Sequence, residues 1–143
     1  MLVARKAGLE IFYRLPAGHG LQPLRWPDPF PFDSLFAMRV ATYAKQIGRT
    51  VAFALAAYRQ AFAGGRSLAD PDNVVIAAAA CEMHPTALLK GISLRSVQAK
   101  LERAGARASG AGVRALPAIQ VGTEVFCGDD ALRDATAAVE RCA

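Results

Sequence analysis

Cysteine is scarce in this chain and never paired. Its three cysteines, Cys81, Cys127 and Cys142, form no C-x-x-C motif. Their odd number argues against a disulfide framework and for free thiols in a reducing compartment. Cys81 and His84 have a metal-like Cys-x-x-His spacing, but no second pair completes four ligands, so no metal site is expected. Long apolar runs are also missing. The most apolar window, "VVIAAAAC" at 74–81, falls far short of the roughly 18 residues a membrane helix needs. The first residues, "MLVARKAGLEIF", carry basic side chains without the unbroken apolar stretch of a signal peptide, so a cytoplasmic location is expected. Charge of one sign is sparse too. The net charge is +5, the arginines are scattered, and no aromatics alternate with them. A stacking platform for nucleic acid is thereby disfavoured, and neither nucleic acid nor membrane is expected as a partner.

The 143 residues suffice for one domain with a real core, and 53% of them are hydrophobic, much of that alanine. "LEIFY" (9–13) reads as a strand. Five prolines between Pro16 and Pro31 exclude a helix there and predict an extended, surface-hugging connection. Helices follow. Asp33 or Ser34 can cap one that ends at Gly48, with Leu35, Met38, Ala41 and Thr42 on its inner face. Thr50 can cap a second, stopped by Gly64-Gly65. Asp70 as cap and Pro71 at the first helical position start a third. His84-Pro85 breaks that helix, and Thr86 to Lys90 form a short turn. "SLRSVQAKLERAGARASG" follows as an amphipathic helix with Leu94, Val97, Leu101 and Ala104 three or four apart. Trp26, Phe30, Phe32 and Phe36 cluster among prolines and read as clamps of the extended segment onto the helices. The functional reading of that cluster is an aromatic wall for a flat substrate or a dimer surface.

The closing stretch, "GVRALPAIQVGTEVFCGDD" (112–130), is the most informative. A proline heads a short strand, a two-residue turn follows, and a second strand runs into Gly-Asp-Asp. Asp129 reads as an N-cap for a last helix with Leu132, Ala135 and Val139 inward. Cys127 reads as a buried, inert thiol ahead of that helix; the sharper alternative is a reactive cysteine able to form a mixed disulfide. "RWPDPFPFDSLFAMRVATYAKQIGR", "YRQAFAGGRSLADP" and "GVRALPAIQVGTEVFCGDDAL" together resemble the DsbA-like branch of the thioredoxin superfamily over roughly residues 24–140. Within it the chain is most similar to 2-hydroxychromene-2-carboxylate isomerases and kappa-class glutathione transferases.

That resemblance implies an α/β thioredoxin-like fold, reduced to about three strands (9–13, 118–121 and 124–127), with a large DsbA-type helical insertion. The boundaries expected are 1–32 for the N-terminal strand and Pro-rich connection, 33–110 for the helical insertion and 111–143 for the closing ββα unit. The resemblance also implies a cis bond before Pro117, with the backbone of Leu116 offered to the cysteinyl part of glutathione, and Asp129 and Asp130 holding its γ-glutamyl end. The activity implied is a glutathione-dependent isomerisation, in which the thiolate adds to an unsaturated aromatic-derived acid and leaves after bond rotation. The alternatives are a DsbA-like thiol-disulfide oxidoreductase or an inactive thioredoxin-like binding module. "RLPAGHG" after the first strand holds neither the serine nor the Cys-x-x-Cys of these families, so no catalytic residue is assigned; His19 is a loop residue with nothing to position it. The chain is accordingly expected either to begin late or to have lost its thiol-activating element. So small a sheet leaves apolar surface to hide, and a homodimer is expected.

Overall fold

In the computed structural model, residues 23–142 are described. The strand expected at 9–13 and His19 lie outside them. By internal packing the chain divides into two units, one through Gln98 and one from Ala99 onward.

The first unit is helical. Residues 23–34 run without helix or strand, and Arg25 N–H donates to the carbonyl of Phe62 at 2.6 Å. Helix α1 spans Leu35–Gln46 and α2 spans Thr50–Tyr58, continuing into a π-helical turn at Arg59–Ala63. Helix α3 spans Pro71–Ala79, α4 Pro85–Ile92, and α5 begins at Arg95 and ends at Gly110. The caps follow local chemistry. Asp33 accepts the Leu35 N–H at 2.8 Å, and Asp70 accepts the Asp72 N–H at 2.9 Å with Pro71 at the first helical position. His84 Nδ1 accepts the Thr86 N–H, so His84-Pro85 opens a full helix of eight residues rather than a short turn. Thr50 is not a cap: it is the first helical residue, and Arg49 precedes it without a side-chain capping bond.

Helices α1 to α4 pack around Val40, Phe53, Val74, Met83 and Leu88, with Ala37, Ala44, Ala57, Ala61, Ala77 and Ala78 between them. Small side chains at the contacts let the helices approach closely. They also displace the larger residues that the sequence pattern places inward on α1. Ala37, Val40 and Ala44 are buried there, whereas Leu35 and Met38 are about half exposed. Helix α2 is apolar all round; it buries Phe53 and Ala57 and leaves Val51, Leu55 and Tyr58 exposed. The aromatic residues of the Pro-rich segment do pack. Trp26 meets Phe30 and Phe62 edge-on at 4.6 and 5.7 Å, and Phe32 and Phe36 lie against the helical core.

The second unit holds the end of α5, a hairpin and a helix. Strands β1 (Ala118–Val121) and β2 (Glu124–Cys127) pair antiparallel, Ala118 opposite Cys127 and Val121 opposite Glu124. The two-residue connection needs a positive φ at its first position only, and Gly122 supplies it at +60°, the signature of a type II′ turn. Helix α6 (Ala131–Cys142) covers one face of the hairpin. Its inner face is Ala131, Ala135 and Ala138; Leu132 and Val139, which the sequence pattern aims inward, are 70% and 54% exposed. Two strands are too narrow to cover side chains on the flanks of a helix, so only the central alanine stripe is buried.

Candidate functional site

Pro117 sits one residue before β1, and its carbonyl accepts the Gly128 N–H at 2.8 Å. Gly128 in turn offers its own carbonyl to the N–H of Ala131, the first residue of α6, at 3.1 Å. A residue other than proline at position 117 would aim its N–H at that same carbonyl; proline forgoes this one ladder bond, and the Ala131 N–H keeps the Gly128 carbonyl satisfied. The Leu116–Pro117 peptide is cis. Gly128 takes φ +87°, a value open to glycine, and this bends the chain from β2 into the helix.

These bonds extend the β1–β2 register by one residue and bring the four sequence-assigned positions to one end of the hairpin. Leu116 is 82% exposed, and among the described residues neither its N–H nor its C=O has a hydrogen-bond partner. Continuing the same register sets it opposite Asp129. Asp129 and Asp130 are both exposed at the head of α6. Asp130, not Asp129, directly precedes the helix, and its carbonyl accepts the Asp134 N–H at 3.0 Å. First-turn N–H groups and the positive end of the helix dipole are thus present beside two carboxylates.

Sequence reading missed Arg133. Its guanidinium bonds Asp134 at 3.0 Å and lies 2.9 Å from Asp130, one helical turn away. The hydrogen bond to Asp134, then the charges of Asp130 and Asp134, raise its pKa further above the ordinary arginine value. The i,i+3 spacing of Asp130 and Arg133 at a helix start was the available signal. Any cation bound by Asp130 competes with this exposed pair, and any anion at the helix head gains a second donor from it.

The other residues singled out by sequence lie elsewhere. Cys127 is half-buried at the end of β2 and is a free thiol; Cys81 is buried in the helical core with its Sγ on the Ala77 carbonyl at 3.3 Å. Burial raises the Cys81 pKa above its usual value, with the Arg49 guanidinium opposing. Among the described residues no group of three or more His, Cys, Asp or Glu side chains is placed to hold a metal ion, and no helix is long and apolar enough to cross a membrane. A groove of about 570 Å³ lies between the hairpin and the end of α5. Its floor is Ala118, Gln120 and Val125, its wall Ala104, Ala108 and Ala111 around the end of α5, and Arg107 is its one charged residue. Sequence periodicity alone gives no sign of this groove.

A family model for the DSBA-like thioredoxin domain matches residues 14–140. The chain belongs to the DsbA-like thioredoxin family. The six helices and the two-stranded sheet of the described residues fit a thioredoxin-like fold with a helical insertion. Among solved structures, the DsbA-like chain is similar to a selenomethionine form of 2-hydroxychromene-2-carboxylate isomerase (HCCA isomerase), with a TM-score of 0.78 and 18% identity. That likeness covers 99% of this chain and 66% of the isomerase, so the chain spans about two thirds of that structure's length. At such identity the likeness is one of fold. No match was found among curated proteins.

Proposed function

We propose that this DsbA-like chain takes part in glutathione-dependent chemistry of the isomerase or transferase kind, acting on an aromatic-derived acid. The observation that carries the reading is the meeting of exposed Leu116, Pro117 and the Asp129–Asp130 helix head at one end of the hairpin. The γ-glutamyl end of glutathione carries an ammonium and a carboxylate, and each has a counterpart there. Leu116 would pair its unbonded N–H and C=O with the cysteinyl backbone, as an added strand does. Asp130 would receive the γ-glutamyl ammonium, with Asp129 beside it. The first-turn N–H groups of α6, reinforced by Arg133, would donate hydrogen bonds to the adjoining carboxylate. When bound, glutathione supplies a nucleophilic thiol. No side chain of this chain is assigned to activate it, which keeps a second reading open, that of a thioredoxin-like binding module; the "RLPAGHG" stretch, without serine or cysteine, favours it.

Calorimetric titration of the full chain with reduced glutathione separates the two. The proposal expects saturable binding, unchanged in Leu116→Ala because only that residue's backbone is used. In Asp130→Ala it expects binding weakened about fivefold, the scale of one exposed charge pair. Absence of binding at millimolar ligand overturns it in favour of the binding module.

A further inference from the structure

Helix α5 and the residue before it carry one apolar stripe. Leu94, Val97, Leu101, Ala104, Ala108 and Ala111 recur three or four residues apart and so share a face. The stripe is covered at its start, where Val97 is fully buried, but Ala104, Ala108 and Ala111 are exposed and form the wall of the groove beside the hairpin. Arg107 comes three residues after Ala104 and four before Ala111. It therefore stands in the stripe itself, where the pattern calls for an apolar side chain. Arg107 lines the groove, and its guanidinium has no ion pair or hydrogen bond among the described residues. Nearby charge along the chain has one sign. Residues 103–123 hold Arg103, Arg107 and Arg114 and neither aspartate nor glutamate. Gln120, the other polar side chain of the groove, is tied back to the Gly122 carbonyl at 3.0 Å. Arg107 is thus the polar group best placed to meet a ligand.

We propose that this groove binds a small apolar monocarboxylate. Its body lies against the alanine wall and the Ala118 and Val125 floor, and its carboxylate pairs with the Arg107 guanidinium. The volume of about 570 Å³ is that of a small-molecule site. The wall from Ala104 to Ala111 is about 10 Å long, enough for a short acyl chain or two fused rings. Small side chains on wall and floor leave room for such a body, and seating it removes apolar surface of both partners from water. One unpaired cation in an otherwise uncharged lining selects one anionic group, and the planar guanidinium suits a carboxylate. Because the groove is open to solvent, that pairing is screened and contributes about three- to fivefold in affinity. The inference needs no free edge on β1: a neighbouring strand there would widen the floor and leave the wall of α5 in place. It also stands apart from glutathione, since its test uses no thiol and either site can fail without the other.

The test is calorimetric titration of the full chain with octanoate, and with 1-octanol as its uncharged counterpart, beside amide chemical-shift mapping. Arg107→Gln removes the charge, and Arg95→Gln, at the far end of α5, serves as control. Ala108→Leu fills the groove from an exposed helical position. The expected result is saturable one-to-one binding of octanoate with dissociation below about 1 mM, and about three- to fivefold weaker binding of octanol. Shifts should fall on residues 104–113 and 118–125. Arg107→Gln should lose the preference for octanoate, Arg95→Gln should keep it, and Ala108→Leu should bind neither compound. No saturable binding at millimolar octanoate overturns the proposal, as does equal affinity of the wild type for the two compounds. So does a preference that survives Arg107→Gln, or a set of shifts confined to the helical unit. If Ala108→Leu fails to fold, Arg107→Gln, a change at an exposed side chain, decides alone.

Discussion

Gly91 in α4 is the most telling point in the helical unit. It is buried, and a Cβ built on it would meet the ring of Tyr43 from α1, with Cζ at 2.6 Å, Cδ2 at 2.7 Å and Cε2 closer still. Ordinary Cβ contacts lie at 3.4–4 Å, so the ring or the helix must move. Two effects therefore oppose each other in Gly91→Ala. Helix propensity favours alanine by about 1 kcal/mol, and overpacking costs about 1–3 kcal/mol. The overlap involves three atoms of one ring, which places the cost at the upper end and gives a net loss of about 1–2 kcal/mol. Urea unfolding followed by Trp26 fluorescence reads this unit. The same substitution made in a Tyr43→Ala background keeps the propensity gain without the clash, and should stabilise by about 0.5–1 kcal/mol. The coupling between the two sites is thus expected at about 1.5–3 kcal/mol. Additivity within about 0.5 kcal/mol would refute the packing of α4 against α1 through this glycine.

Other consequences are more direct. Leu88 is fully buried among α1 to α4, so Leu88→Ala should cost about 3 kcal/mol in the same unfolding assay; a loss under about 1 kcal/mol would mean that the core is not closed there. The Cys81 thiol is raised by burial above its usual 9.0. A raised acid keeps its proton longer in the folded state, so its contribution is whole below about pH 9 and is lost as pH climbs through the folded value. Cys81→Ala should therefore flatten the fall of stability above pH 9, and identical slopes in the two proteins would contradict that burial.

Local signals made the closing hairpin legible to the residue. Pro117, the Gly122-Thr123 turn and Gly128 punctuate two short apolar runs, and each mark acts within a few residues of itself. The caps at Asp33 and Asp70 were legible for the same reason. Helix faces were not. With alanine so abundant, large residues such as Leu35, Met38, Leu132 and Val139 look like the natural inward positions. Which side is buried depends instead on partners far along the chain, and close packing selected the alanines. Thr50 was misplaced by one residue because a threonine ahead of an apolar run fits equally well inside the first turn. Phe62 joining the Trp26 cluster and the groove beside β1 arise from long-range contacts. Arg133 was within reach through its spacing from Asp130 at the start of the last helix.

Whether one end of the hairpin is a ligand site is tested most directly by amide chemical-shift mapping with reduced glutathione. The expected result is saturable shifts at Leu116 and at residues 128–133, with the helical unit unmoved. Shifts confined to other residues, or none at millimolar glutathione, would contradict the site and leave this chain a DsbA-like fold without that ligand.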